Sequence, residues 1–432
     1  MECYHEPGRA VPIVKSCGVL VCGGGPAGVA AALAAARTGA DTVLLEMQGC
    51  LGGIWTSGAL TWIMDGGRKT GVMADILSRL QARKAGRFCR SNHFISDTEE
   101  MKLLLEEMCL EAGVTVRLYT RITGAAKAEN GDMKLVLTES PSGREAWQAG
   151  AFVDATGNGD LAAYAGCGFD LGQEGTGAMQ PMSLIVHISG IRAEDAEEFN
   201  NCLEYTNGNP KKKLLQEMQK AGVRPSYEAP SLFHVREDLY LLMTNHEYGV
   251  SGINADDLTR ATLRARGENH RLIGALRALG GRWERARIVV TAAHIGVREG
   301  RRIHGLYRVG LEDLTEGRSQ ADAVCRVYMG IDIHSVNPEQ SRSFSGSGLT
   351  AKPYDIPLRA LIAKDAGRLL MAGRCISGDF YAHSSYRVTG DAAATGQGAG
   401  TAAALSVLRG ERPEEVPWPE MRKALDGNDG GR

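Results

Sequence analysis

His334 stands in Ile331-Asp-Ile-His334, and an imidazole, with a pKa near neutrality, suits a proton transfer that accompanies electron transfer. A hydrogen-bonded structural role suits one imidazole equally well. Arg298, Arg301 and Arg302 fall in Ile295-Gly-Val-Arg-Glu-Gly-Arg-Arg302, where spacings of three and four on a helix gather them on one face. So gathered, they would clamp a carboxylate or phosphate bidentately, or form an ion-pair network between domains. Ser377, Tyr381, His383, Ser384, Tyr386 and Arg387 crowd one further loop, where His383 and Tyr386 are proton shuttles or partners of a ligand edge or of the loop itself. Such groups serve two reactions. Hydride abstraction from an alcohol or amine needs a base, and saturation of an activated double bond needs an acid plus a cationic clamp.

Chemistry of that kind needs an electron carrier, and Gly18 to Glu46 are patterned to hold one. The apolar run Gly18-Val-Leu-Val-Cys22 flows into Gly23-Gly-Gly-Pro-Ala-Gly28 and then an alanine-rich helix. Gly23 serves the tight turn, Gly25 lets backbone approach a pyrophosphate, and Gly28 permits close helix–strand packing. The helix N-terminus offers unpaired N–H groups to the phosphates. Thr42-Val-Leu-Leu-Glu46 ends in a carboxylate placed to accept from a ribose. A second glycine-rich turn, Gly49-Cys-Leu-Gly-Gly53, leads to Ile54 and Trp55, and Trp55 and Trp62 either wall a ligand pocket or fill the core. Near the other end, Arg368-Leu-Leu-Met-Ala-Gly373 reads as a buried strand, and Gly390 to Gly400 open a small-residue helix whose positive end can stabilise ligand charge.

Between these pieces, Asp97 caps a helix with Met101, Leu104, Leu105 and Met108 at helical spacing. Val114–Tyr119, Ile122–Glu129, Met133–Thr138 and Ala149–Asp154 read as a small meander with a hairpin turn at Asn130-Gly131. From Pro181 the texture changes to a strand, Ser183–Ser189, then a long polar, helix-leaning stretch broken at Asn207-Gly-Asn-Pro210. Arg260 to Arg308 contain twelve arginines, no lysine and three acids, which read as solvated helix faces, an anion-attracting wall or a docking surface.

A formal charge of −2 and 43% apolar residues exclude disorder and a polyanion-binding protein, so no nucleic-acid partner is expected. Ten cysteines without a C-x-x-C pair argue against a zinc site or a secreted disulfide framework, which implies reduced thiols and a cytoplasmic location. Met1 to Ser16 lack the apolar core of a secretory signal, and the longest apolar stretch, Val29 to Ala36, is too short to span a membrane. No metal site, Ser-His-Asp arrangement or P-loop competes with the dinucleotide reading.

These motifs, in this order, resemble the FAD-dependent oxidoreductases of the glutathione-reductase-like, two-dinucleotide-binding-domain superfamily, and more narrowly a bacterial FAD-dependent oxidoreductase family. The resemblance runs from about Gly18 to Leu408 and includes Leu51-Gly-Gly53, Asp154-Ala-Thr-Gly157, Ile295 to Arg302, Ile331 to His334, Tyr354-Asp-Ile-Pro-Leu-Arg359, Ala372 to Ser377 and Gly396 to Gly400. It implies an α/β fold: a three-layer ββα Rossmann domain over 15–180 and 351–410, interrupted by an α+β substrate or cap domain over 181–350. An arm, 1–14, and a tail, 411–432, flank them. It implies noncovalent FAD held by Gly23, Gly25, Pro26, Ala27, Gly28, Glu46, Met47, Gly52, Gly53, Ile54, Thr156, Gly157, Gly373, Gly396 and Gln397. Many superfamily members carry an acid after the last strand's glycine; here Arg374 follows Gly373, and Asp379 is the substitute candidate.

Nothing between Gly157 and Gly373 repeats the strand, glycine turn and helix, so a built-in nicotinamide domain is not expected. Electrons then come from a small, polar, anionic substrate or from an external donor or acceptor. The open alternatives are fumarate-reductase-like saturation of a C=C bond and a flavin-bearing electron-transfer subunit.

Overall fold

The computed structural model describes residues 2–203, 208–344 and 348–427; Asn207 of the expected loop and 428–432 of the expected tail lie outside them. Strand β1 (Ile13–Cys22), helix α1 (Pro26–Arg37) and strand β2 (Thr42–Leu45) form a parallel βαβ unit. Val19 to Cys22 and all of β2 are buried, as continuous apolar runs are in a parallel sheet covered on both faces. Helix α2 (Gly71–Ala82) and helix α3 (Thr98–Glu111) pack beside α1, and the Asp97 side chain accepts from the amides of Glu99 and Glu100, the expected N-cap.

The expected four-strand meander is corrected in its first member. Strand β3 (Thr115–Arg117) pairs parallel with β2, because a strand reached through a crossover helix joins the sheet in the same direction. Strands β4 (Arg121–Lys127), β5 (Met133–Ser140) and β6 (Gly143–Asp154) form the meander proper. β6 is long enough to do two jobs. Its first half pairs antiparallel with β5, while its run to Asp154 pairs parallel with β1, giving the order β3-β2-β1-β6-β5-β4.

A second sheet follows, made of β7 (Val186–Ser189), β8 (Ser231–Arg236), β9 (Leu239–Met243) and β10 (Arg287–Thr291) in the order β8-β9-β7-β10, all antiparallel. Helix α4 (Ala255–Ala278) buries Leu272, Ile273 and Leu276 in the same cluster as Phe199, Leu214 and Trp283. Its arginines turn outward: Arg260 pairs with Asp257 and Arg264 with Glu247, with more than half of each arginine side chain exposed.

The chain then returns. Strand β11 (Leu369–Met371) adds parallel to the end of β6, followed by helix α5 (Phe380–Tyr386) and helix α6 (Thr389–Arg409). α6 lies directly on α1, and this is what its small residues are for. A Cβ at Gly396 would stand 2.1 Å from Ala27 O, and one at Gly400 2.0 Å from Ala31 O. Lys69 ties the start of α6 to the loop before α2, with its Nζ 2.5 Å from Asp391 and 2.9 Å from Asp65 in a buried cluster.

Candidate functional site

Three turns converge on the N-terminus of α1. A Cβ on Gly53 would lie 2.9 Å from Gly25 Cα, one on Gly373 3.0 Å from Ala27 Cβ, and Gly396 abuts Ala27 from α6. Gly25 is the N-cap and has no side-chain partner there, so the first amides of α1 lie open toward a ligand. The space beyond Gly25 is empty to 4 Å. Glu46, only 6% exposed, accepts from the amides of Gly24 and Gln48 at 2.6 and 2.7 Å and so fixes the turn from the β2 side. Burial pushes its carboxyl pKa up, against the pull of those amides. Around this cradle, Trp55 Nε1, Arg374 Nε and Thr389 Oγ1 are buried without a hydrogen-bond partner among the described residues. Buried polar atoms are normally paired, so unpaired donors and a hydroxyl beside a bare helix N-terminus fit a polar dinucleotide and its ring system.

Other expected cradle residues are placed as follows. Thr156 donates both its amide and its hydroxyl to Asp154 Oδ1, and Gly157 backs onto the Arg374 guanidinium. Arg374 donates to Val297 O at 2.7 Å and Asn158 Oδ1 at 3.0 Å. Met47 is 57% exposed, Ile54 packs toward Gly58 and Gly296, and Gln397 accepts from the Val72 amide at the start of α2. Asp379 spends both oxygens on backbone, accepting from Ala382 N as the α5 cap and from Leu311 N, each at 2.7 Å. Trp62 belongs to a core cluster, 4.6 Å from the Phe233 ring.

The expected shared face of Arg298, Arg301 and Arg302 is corrected: residues 295–301 are not helical, and the three side chains diverge. Arg301 turns to Asp160 and Asn158 O. Arg302, 1% exposed, pairs with Glu299 and donates to Gly172 O and Gly378 O, an internal tie between segments. Only Arg298 remains free to meet a ligand. Its Nη1 donates to Pro181 O and Ser183 Oγ, it is partly accessible, and no carboxylate lies in ion-pair range among the described residues. The segment that carries it crosses the cradle, since Ala293 N donates to Ser57 O and Val297 O accepts from Arg374.

His334 lies within electrostatic reach of Arg298. Its amide donates to Gln180 Oε1 at 2.9 Å, its Nδ1 lies 3.0 Å from His246 Nε2, and its Nε2 stands 3.6 Å from Asp332 Oδ2. That last separation is too long for a hydrogen bond, so Nε2 is the uncommitted nitrogen. Arg387 donates to Asp332 O at 2.7 Å and lies 3.3 Å from its carboxylate. Gln180 donates onward from its amide to Glu299 and from Nε2 to Ser384. Burial first, and then the Arg298 cation, lower the His334 pKa to about 3. Burial works against the Asp332 carboxylate, yet His334 and Arg387 hold its carboxyl below the usual range.

The neutral imidazole has a stability consequence. An unfolded histidine titrates near 6.5, so between about pH 6.5 and 3 the unfolded chain binds the extra proton and stability rises with pH. The melting temperature is therefore expected to fall as pH drops from 6.5 toward 4, less steeply in His334→Gln; equal slopes by calorimetry would contradict this.

His383 and Tyr386 do not join this group. His383 is fully buried with its pKa driven far down by burial, and Tyr386 donates to Ile376 O inside the core. Asp332, His246 and Tyr248 join His334 without having been singled out in the sequence. Asp332 had a readable signal, because residues two apart in extended chain project to the same side.

A family model described as FAD dependent oxidoreductase matches residues 18–425. No curated protein matches the chain. Among solved structures, a geranylgeranyl bacteriochlorophyll reductase-like protein of Thermoplasma acidophilum is similar at 12% identity, covering 95% of this chain and 82% of that one, with a TM-score of 0.46. The anhydrotetracycline hydroxylase of Streptomyces rimosus is similar at 14% identity over 96% and 65% of the two chains, TM-score 0.45. No helix among the described residues is long and apolar enough to cross a membrane.

Proposed function

The chain belongs to the FAD-dependent oxidoreductase family, and from that premise we propose that it oxidises a small, polar, anionic metabolite at a carbon bearing a hydroxyl or amino group. FAD is its cofactor, and when bound supplies a two-electron acceptor for hydride. In this reading it is held without a covalent bond, by the amides of Gly25, Ala27 and Gly28, by Glu46 on the ribose side, by the Gly52-Gly53 turn, and by the Trp55, Arg374 and Thr389 groups that lack partners.

The observation that carries the proposal is Arg298. Desolvation first, and then the nearby Arg387 charge, disfavour its cation; the Asp332 carboxylate favours it from beyond ion-pair range, so a substrate carboxylate or phosphate would supply the close partner it lacks among the described residues. His334, neutral at physiological pH, serves as base: Nε2 takes the proton from the substrate O–H or N–H, and the Asp332 carboxylate favours the imidazolium that forms. Arg387 keeps Asp332 ionised and in place. A neutral imidazole supports this direction over double-bond saturation, which needs a proton donor.

The test is stopped-flow reduction of holoprotein against a metabolite panel. Rapid bleaching by a hydroxy or amino acid or a phosphorylated alcohol is expected, with inertness to all anions overturning the reading in favour of an electron-transfer subunit. With that substrate, Arg298→Gln should raise KM about tenfold or more, the equivalent of 1.4 kcal/mol of binding, and change kcat little.

A further inference from the structure

The His334 ring does not end its polar chain. Beyond the 3.0 Å contact to His246 Nε2, His246 Nδ1 lies 3.1 Å from Tyr248 Oη. His246 and Tyr248 both line a cavity of about 310 Å3 whose other walls include Ser226, Arg264, Glu268 and Arg342. Arg264 has 55% of its side chain exposed, so the cavity lies at the protein surface. One file of hydrogen-bonding atoms therefore joins a buried imidazole to solvent. Tilted ring contacts flank the file: Tyr227 on His246 with centroids 4.2 Å apart, and Phe344 against His334 at 4.9 Å.

Two proton arrangements satisfy the same distances. In the first, His334 Nδ1–H donates to His246 Nε2, His246 Nδ1–H donates to Tyr248 Oη, and the tyrosine hydroxyl donates into the cavity. His334 Nε2 then carries the lone pair. In the second, Tyr248 donates to His246 Nδ1, His246 Nε2–H donates to His334 Nδ1, and His334 Nε2–H faces Asp332. Passing from the first to the second takes one proton in at His334 Nε2 and releases one from Tyr248 to cavity water. Each N–H or O–H bond formed is matched by one broken, and every group ends neutral.

We propose that His246 and Tyr248 are relay residues that carry protons between His334 and the surface cavity, a role that rests on reading His334 as the proton acceptor. The relay requires both rings to be neutral at rest, and burial together with the Arg298 charge depresses both. The charged and titratable groups facing the pair are Asp332, Arg298, Arg387, Tyr227 and Tyr248, with Lys211 over the Phe344 ring. Of these, Asp332 alone is anionic, and it sits at the inner end, where it favours the proton's arrival.

The test needs no substrate. In holoprotein with 15N-labelled histidine, the His334 ring N–H, assigned by its loss in His334→Gln, should exchange with D2O at least tenfold more slowly in His246→Phe, which blocks the file, and more slowly in Tyr248→Phe. Unchanged exchange in both variants would overturn the proposal. So would 15N shifts showing either ring as a cation at pH 7 in the unaltered protein, a measurement that stands even if a variant fails to fold. A relay seen by exchange in a protein whose His334→Gln variant keeps full turnover would instead count against His334 as base and leave the conduit intact.

Discussion

Protein carrying Gly25→Leu will purify folded and colourless, whereas Gly28→Leu will not accumulate as folded protein. The two glycines sit three residues apart in one turn, yet they face opposite surroundings. Gly25 has extended backbone, φ −71° and ψ −173°, that any residue adopts, and a Cβ there meets nothing within 4 Å. A side chain would fill the space proposed for the pyrophosphate. A Cβ on Gly28 would stand 1.7 Å from Gly23 O, backbone that cannot yield without dismantling the β1–α1 turn. Bound flavin per protein in Gly25→Leu should fall to about one-tenth or less, at least 1.4 kcal/mol of lost binding, with far-ultraviolet circular dichroism unchanged. Retention of flavin by Gly25→Leu would place the phosphates elsewhere.

His334→Gln should keep its FAD and lose turnover by about 10²- to 10⁴-fold, the usual worth of a positioned base. Gln retains a side-chain hydrogen-bonding group toward His246 and leaves the amide bond to Gln180 untouched, so loss of proton transfer is separated from loss of structure. The lost rate should not recover at high substrate, because the missing interaction belongs to the transition state. A variant with full turnover would leave His334 a structural histidine among Gln180, Asp332 and His246.

What could be read in advance was what is local. The Gly23 to Gly28 turn and the Asp97 cap each act through neighbours a few residues away, so their spacing alone carries the meaning, whereas the small residues of α6 were visible as a pattern but their partner, α1, was not. Arg298 to Arg302 misled for a related reason: their spacing matches a helix face, but pairing with distant segments draws that stretch into extended chain and sends each side chain to a different partner. His246 could not have been found, being 88 residues from His334 and joined to it only once the second sheet is in place. Asp332 was visible beside His334, but its role depends on Arg387, which arrives from the far end of the fold.

The contact between α1 and α6 also has a consequence in time. α1 is buried along Ala27 to Ala35, and much of that cover is a helix that begins at Thr389. A ribosome adding about 5–20 residues each second takes tens of seconds to cross that interval. For most of it the nascent nucleotide unit lacks β11, and throughout it lacks the helix that roofs it. Chaperone engagement of the emerging chain should therefore persist until α6 has cleared the exit tunnel, and flavin should be captured only after that point.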